Sequence, residues 1–299
     1  MSAERGDVAV RHEATGTSSP ITRRAALPRA GKYGAVLLVA AALAVIVAAR
    51  FGATINNDVA WYIYSAGAFQ DGGRLYDSIF FEVNPPLMLY LTVPGVLLAR
   101  LTGLFEVHAY VLSVFVIVTF SLLLGTRVLS DAPARHRHAY LVFSFLVLVI
   151  LPASDFGQRS HVMVCLALPY LLLIAGRLLE GASLPRWHVA AVVGAVAGVG
   201  FAIKPHYLLL MAALEGMLLW RTRRLLCVFR PETLAVAVVV ALYAGTVLVF
   251  TPEYLTRIVP YALEVYNSGY HNPIGFVLAR PETLLVPLAV VAHWRVRRA

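Results

Sequence analysis

Charged side chains beside long apolar runs are the residues of this sequence best suited to chemistry. Three stand out: Asp58 after a pair of asparagines, Arg159 after a glutamine, and Lys204 before a proline. A carboxylate can take a proton from a hydroxyl group, and arginine or lysine can bind phosphate oxygens. Nine candidates, these three included, are ionisable residues beside apolar runs and outside the most basic loops: Asp58, Glu82, Asp155, Arg159, His161, Lys204, His206, Glu253 and Glu264.

Composition limits the class of protein that can carry these groups. The chain has 299 residues, of which 60% are apolar and only 14% are charged. A soluble domain is nearer ~45–50% apolar and ~25% charged, because polar residues must cover its surface. The composition therefore excludes an ordinary cytosolic enzyme, a disordered chain and a secreted disulfide scaffold. It predicts an all-α polytopic membrane protein.

The apolar runs set the number of membrane crossings. A helix needs ~20 residues to cross the hydrocarbon layer. The chain has nine apolar runs, and several of them are shorter than this. The run at 86–104 contains prolines, which break helices, and a crossing there would put the basic residues Arg135 and Arg137 outside. We interpret 51–106 as one large external segment with interfacial helices, and keep open the alternative that 86–104 crosses the membrane. The other eight runs are 33–50, 107–126, 139–153, 161–177, 187–203, 206–220, 233–250 and 282–294.

The basic residues orient the chain. The net charge is +9, and the most basic short loops lie near 127–138, 177–186, 221–230 and 295–298. By the positive-inside rule these loops are cytoplasmic, so no nucleic-acid partner is expected. Residues 1–32 are predicted to be a disordered basic cytoplasmic tail, and 33–299 a transmembrane domain of the cell inner or plasma membrane. The two cysteines, Cys165 and Cys227, lack metal-type spacing, so neither a disulfide nor a metal site is expected.

This topology places the charged candidates on one side. Nearly every ionisable residue beside an apolar run outside the basic loops falls on the external side, including these nine, although the topology was built from the basic loops alone. Charged groups at membrane depth are costly and usually line a cavity or a pathway. The sequence therefore predicts one site on the non-cytoplasmic face.

A resemblance to a known family rests on the segment 56–90. An aspartate follows the first span, then comes a helix of the form Ala-x-x-x-x-x-Gly-x-x-x-Tyr, then Asn-Pro-Pro-Leu-x-x-Tyr-Leu. This order resembles the opening of the GT-C membrane glycosyltransferases, in the branch of the protein O-mannosyltransferases and lipid A aminoarabinose transferases. The matching residues are Asp58, Tyr62, Ala66, Gly72, Gly73, Tyr76, Asn84, Pro85, Pro86, Leu87 and Tyr90.

The resemblance implies an inverting transfer of a sugar from a polyprenyl-phosphate donor to a lipid, glycan or protein acceptor. Asp58 matches the family's catalytic aspartate, and Asp155 falls where a second acidic residue often lies. No cofactor is implied, and a divalent-metal requirement stays open. Many members carry a paired acidic motif where this chain has Asn57-Asp58. Members are also usually longer, so a minimal, truncated or inactive member is expected.

This reaction assigns roles to the remaining candidates. Asp58 is the base for the acceptor hydroxyl, and cations stabilise the leaving phosphate. We expect the substrate-binding residues to be Arg159, Lys204, His206, Glu82, Asn84 and Tyr62. Three structural alternatives stay open: Asp58 as a helix N-cap, Arg159 as a partner of Asp155, and Lys204 as a lysine reaching the headgroups.

Two other functions also fit the composition. A transporter or lipid flippase would need charges spread between both faces and broken helices in two related halves. A non-catalytic scaffold subunit for glycan or lipid assembly would need a longer partner.

Overall fold

The computed structural model describes residues 41–77, 82–179, 184–223 and 225–269. The chain divides into two compact units, 1–45 and 46–299. The first helix begins within the first unit, and the packing described below belongs to the second. Helices dominate the described residues, as the composition predicts. Four of the segments that connect them form short 3-10 or π-helices. The helices are α1 (Ala41–Phe51), α2 (Asn57–Gln70), α3 (Leu87–Thr102), α4 (Glu106–Val128), α5 (Ala134–Ile150), α6 (Arg159–Leu178), α7 (Trp187–Ala202), α8 (Leu208–Thr222), α9 (Pro231–Phe250) and α10 (Val259–Gly269).

Three of these helices are long and apolar enough to cross a membrane. They are α4, α6 and α9, with mean hydropathies of 2.3, 1.8 and 2.4. Only 17% of the most apolar part of α9 is buried in the protein. Exposed side chains such as Leu242, Val249 and Phe250 therefore give this helix an outward apolar surface. A lipid environment satisfies such a surface, which supports the membrane assignment.

The runs predicted at 33–50 and 282–294 lie wholly or partly outside the described residues. The run at 86–104 forms α3, a 16-residue helix with Pro94 inside it. Helices α5, α7 and α8 have 17, 16 and 15 residues, so each is shorter than the usual crossing length.

Helix α6 lies at the centre of the bundle. It packs between α4 and α7, and α7 packs in turn along α9. The contact between α7 and α9 depends on Gly194, where an added Cβ would lie 2.1 Å from the backbone oxygen of Glu232. Gly198 lies against Val236, and Gly200 against α6. This glycine spacing predicts close helix packing, and the structure confirms it.

A buried ionic cluster joins α6, α8 and α9 at the end of α6 that carries Arg177. Glu232, which is fully buried, pairs with Arg177 at 2.5 Å and with Arg230 at 3.1 Å. Arg230 also pairs with Glu215, which accepts hydrogen bonds from Tyr170 and Thr233.

The sequence Arg-Pro-Glu-Thr-Leu at 230–234 thus does more than begin a helix. Pro231 fits the first turn of α9, as its type predicts, but Arg230, Glu232 and Thr233 all belong to the ionic cluster. The same five-residue sequence at 280–284 lies outside the described residues.

The close approach at Gly194 gives a test of the packing. Gly194→Ala pushes a methyl group into the backbone of α9, which cannot move without breaking the Glu232 cluster. We expect a loss of about 1–3 kcal/mol in the free energy of unfolding, measured as a lower Tm in detergent. Gly216→Ala is the matched control, because an added Cβ there meets nothing within 4 Å. Equal Tm values for the two variants would contradict the close packing.

Candidate functional site

The position of Asp58 is fixed by the residue two places before it. The Asn56 side chain caps α2 by accepting a hydrogen bond from the Asp58 backbone N–H at 2.7 Å. Asn56, and not Asp58, is therefore the N-cap. The Asp58 carboxylate is left in the first turn, where the positive end of the helix dipole favours a negative charge.

Arg159 joins two carboxylates that are far apart in the sequence. Its Nη2 lies 2.5 Å from Asp58 Oδ2, and its Nη1 lies 3.1 Å from Glu82 Oε1. Gln158 adds a hydrogen bond to Asp58 Oδ2 at 3.3 Å. The guanidinium carbon lies 5.5 Å from the ring centre of Tyr62, which is buried. The predicted group of Asp58, Glu82, Arg159 and Tyr62 therefore does assemble.

The two carboxylates differ in access. The Asp58 side chain is 42% exposed, whereas those of Glu82 and Arg159 are 14% and 10% exposed. Asp58 Oδ1 has no hydrogen bond with any residue that the structure describes. Arg159 Nε is buried, and it too has no partner among those residues. The cluster thus holds one open acceptor and one unused donor.

The loop before α3 holds Glu82 in place. Asn84 donates to Glu82 through both its side-chain amide and its backbone N–H. The Tyr76 hydroxyl donates to the Asn84 carbonyl at 2.9 Å, and the Tyr254 hydroxyl to the Val83 carbonyl at 3.4 Å. Asn84, expected to bind substrate, is seen here as the partner of Glu82.

Lys204 brings a further positive charge towards the cluster. Burial lowers the pKa of Lys204, and the nearby charge of Arg159 lowers it further, while Glu82 and Asp58 raise it. No ion pair forms between Lys204 and any residue within the described ranges. Tyr207, whose hydroxyl lies 2.9 Å from Ser160 Oγ, ties the Lys204 turn to the first turn of α6.

His206 lies in the same turn and is exposed. Partial burial and the charges of Lys204 and Arg159 lower its pKa.

Asp155 occupies a different position from Asp58. Its Oδ1 accepts a hydrogen bond from the Asn56 side-chain amide at 2.6 Å. The Asn56 backbone N–H also donates to the Ser154 carbonyl at 3.0 Å. Asp155 therefore holds the cap of α2, and Arg159 pairs with Asp58 and Glu82 instead of Asp155.

The turn between α5 and α6 is held in place by Arg50 of α1. Arg50 donates to the carbonyls of Ile150 at 2.8 Å and Ala153 at 2.5 Å, and lies over the Phe156 ring. Ala153 has a φ of 45°, a left-handed conformation that is costly for a residue other than glycine. The two hydrogen bonds of Arg50 help to offset this cost. The sequence did not predict that Arg50 holds this turn, because a basic residue at the end of an apolar run usually marks only the membrane boundary.

The start of α6 is held by a second set of contacts. Gly157 has a φ of 85°, and an added Cβ would lie 2.7 Å from the Tyr110 ring. Its carbonyl accepts from the Tyr110 hydroxyl at 2.6 Å, and its N–H donates to His161 Nδ1 at 2.9 Å. His161 Nε2 then donates to the Leu148 carbonyl at 2.8 Å, which makes His161 a neutral packing residue.

Comparison of the chain with protein-family models, with curated proteins and with solved structures found no match. Any functional assignment therefore rests on the sequence resemblance and on the geometry of the site.

Arg159 gives a test of how the site is held together. Arg159→Gln leaves Glu82 and Asp58 without their cation, and removing one partner of a mostly buried ion pair is destabilising. Because Asp58 is partly solvated, we expect a loss of about 1–3 kcal/mol in the free energy of unfolding, measured as a lower Tm in detergent.

The control is Arg100→Gln, which removes the exposed pair with Asp71. Exposed pairs contribute about 0–1 kcal/mol, so this variant should unfold close to the wild type. Similar losses in the two variants would contradict the central position of Arg159.

Proposed function

We propose that the chain is an integral membrane glycosyltransferase of GT-C type that uses a polyprenyl-phosphate sugar as donor. The observation that carries the proposal is the cluster in which Arg159 joins Asp58 and Glu82, with Lys204 nearby. It combines an accessible carboxylate with cations, as a reaction that deprotonates a hydroxyl and releases a phosphate requires.

The arrangement supports a single displacement. The acceptor hydroxyl attacks the anomeric carbon of the sugar while Asp58 takes its proton, for which Oδ1 is open. The bond from the anomeric carbon to the phosphate oxygen breaks, and polyprenyl phosphate leaves with the bonding electrons. Arg159 and Lys204 stabilise the negative charge on that phosphate. Because the acceptor attacks opposite the leaving group, the anomeric configuration inverts.

The proposed topology has eight spans, with the N-terminus cytoplasmic and 51–106 external. Helix α6 supports it, because its two ends carry different ion clusters. Arg159 and Arg177 are separated by about 27 Å along the axis at 1.5 Å per residue, close to the ~30 Å of a hydrocarbon layer. The Arg159 cluster is therefore assigned to one membrane boundary and the Arg177 cluster to the other.

The first test is replacement of the proposed base. Asp58→Asn keeps the shape of the side chain but removes its ability to take a proton. We expect kcat to fall by about 100-fold or more, the usual contribution of a general base. The assay follows labelled sugar from a panel of polyprenyl-phosphate hexoses and pentoses into acceptors in membrane extract.

The matched control is Asp71→Asn, since Asp71 is an exposed aspartate that pairs with Arg100. It should keep nearly full activity. If Asp58→Asn transfers sugar as fast as this control, Asp58 is not the base. If wild-type protein shows no transfer but moves a lipid or solute in proteoliposomes, the transporter function replaces the proposal.

The second test uses the lowered pKa of Lys204. Its charged form is lost as the pH rises through a value below the usual 10.5. Affinity for polyprenyl phosphate should therefore fall in the alkaline range, at lower pH than for an ordinary lysine. Lys204→Met should weaken binding by about 10- to 100-fold, as loss of a charge-assisted hydrogen bond predicts.

Lys204→Arg is the matched control, because arginine keeps its charge throughout this range. It should remove the alkaline fall in affinity without loss at neutral pH. An unchanged alkaline fall in Lys204→Arg would show that another group titrates.

A further inference from the structure

A cavity of about 470 Å³ lies beside the end of α9. It is formed by the segment 73–77, the end of α2, Tyr90 of α3, and the turn that follows α9. Tyr76 and Tyr254 pack together with ring centres 5.4 Å apart, and their hydroxyls hold the loop that carries Glu82. None of the charged groups of the Asp58 cluster lines the cavity.

Four charged side chains line this cavity. Arg74 and Arg257 are positive, and Asp77 and Glu253 are negative, so the lining is balanced in charge. Over the described part of the chain, however, none of the four forms an ion pair. Two separate cations and two separate anions suit a ligand that itself carries both charges.

The position of the cavity indicates where such a ligand would come from. Helix α9 is a candidate membrane span, and it ends at Phe250, which lines the cavity. Leu248, Val249 and Phe250 are 59%, 70% and 75% exposed. An apolar surface that ends at arginines is the arrangement that holds a phospholipid, with its chains on the helix and its phosphate on the guanidinium groups.

We propose that this cavity binds a phosphate group that carries a primary ammonium, as in phosphatidylethanolamine. Arg74 and Arg257 hold the phosphate, and Asp77 and Glu253 accept hydrogen bonds from the ammonium. A quaternary choline headgroup has the same charges but no N–H to donate, so the carboxylates discriminate against it. The site lies outside the proposed catalytic cluster.

The test measures lipid retention by the full-length protein. Wild-type protein is reconstituted in nanodiscs of equimolar phosphatidylethanolamine and phosphatidylcholine, extracted in mild detergent, and examined by native mass spectrometry. We expect retained phosphatidylethanolamine to exceed phosphatidylcholine by about tenfold, as about 1.4 kcal/mol of discrimination would give. The double variant Arg74→Gln, Arg257→Gln should lose retention of both lipids, and Asp77→Asn, Glu253→Gln should lose only the preference.

Arg135→Gln, Arg137→Gln is the control pair, since these two arginines lie in the first turn of α5 and do not line the cavity. It should retain lipid as the wild type does.

A competition experiment uses water-soluble glycerophosphoethanolamine. If this compound displaces the lipid, the headgroup alone is recognised. If it does not, the lipid chains are also needed for binding. Equal retention of both lipids by the wild type, or unchanged retention in Arg74→Gln, Arg257→Gln, would overturn the proposal. Neither result depends on transferase activity, so the outcome is independent of the proposed function.

Discussion

The site depends on the need to compensate the buried positive charge of Arg159. Its side chain is only 10% exposed and lies at the N-terminus of α6, where the helix dipole adds further positive potential. Desolvating such a charge costs several kcal/mol unless opposite charges and hydrogen bonds are close. Asp58 and Glu82 supply both. Because they come from α2 and from the loop before α3, the neutralisation of one side chain joins three separate parts of the chain.

Each end of α6 carries a largely buried arginine, and the two arginines are neutralised in different ways. At Arg177 the partner Glu232 is fully buried, and further partners from α8 and α9 complete the cluster. At Arg159 the partner Asp58 remains 42% exposed, and its Oδ1 has no hydrogen bond within the part of the chain that the structure describes. A sealed cluster fixes helices against each other, whereas an open one retains an acceptor that a ligand can reach. This difference in access is the physical reason for assigning chemistry to the Arg159 end.

Several parts of the site could be predicted from residue type and position. The predicted topology put Asp58, Glu82, Arg159 and Lys204 on the same side of the membrane. The structure brings the first three of these residues into contact. The alternatives for individual residues were harder to decide. Whether Asn56 or Asp58 caps α2 is a choice between residues two places apart, and it follows from backbone dihedral angles. The family resemblance made Asp155 a second acidic candidate for the site, and in the structure its carboxylate accepts a hydrogen bond from Asn56.

Composition and the lengths of the apolar runs were enough to predict a helical, strongly apolar chain, and they indicated a membrane environment. The glycine-based packing of α7 was also predictable, since glycine spacing is a local pattern. Three features came from the folded structure instead: which carboxylates meet Arg159, that Arg50 holds the turn before α6, and that Glu232 is buried. These contacts join residues tens to more than a hundred positions apart. No local pattern specifies them, because they arise only when packed helices force each buried charge to find a partner.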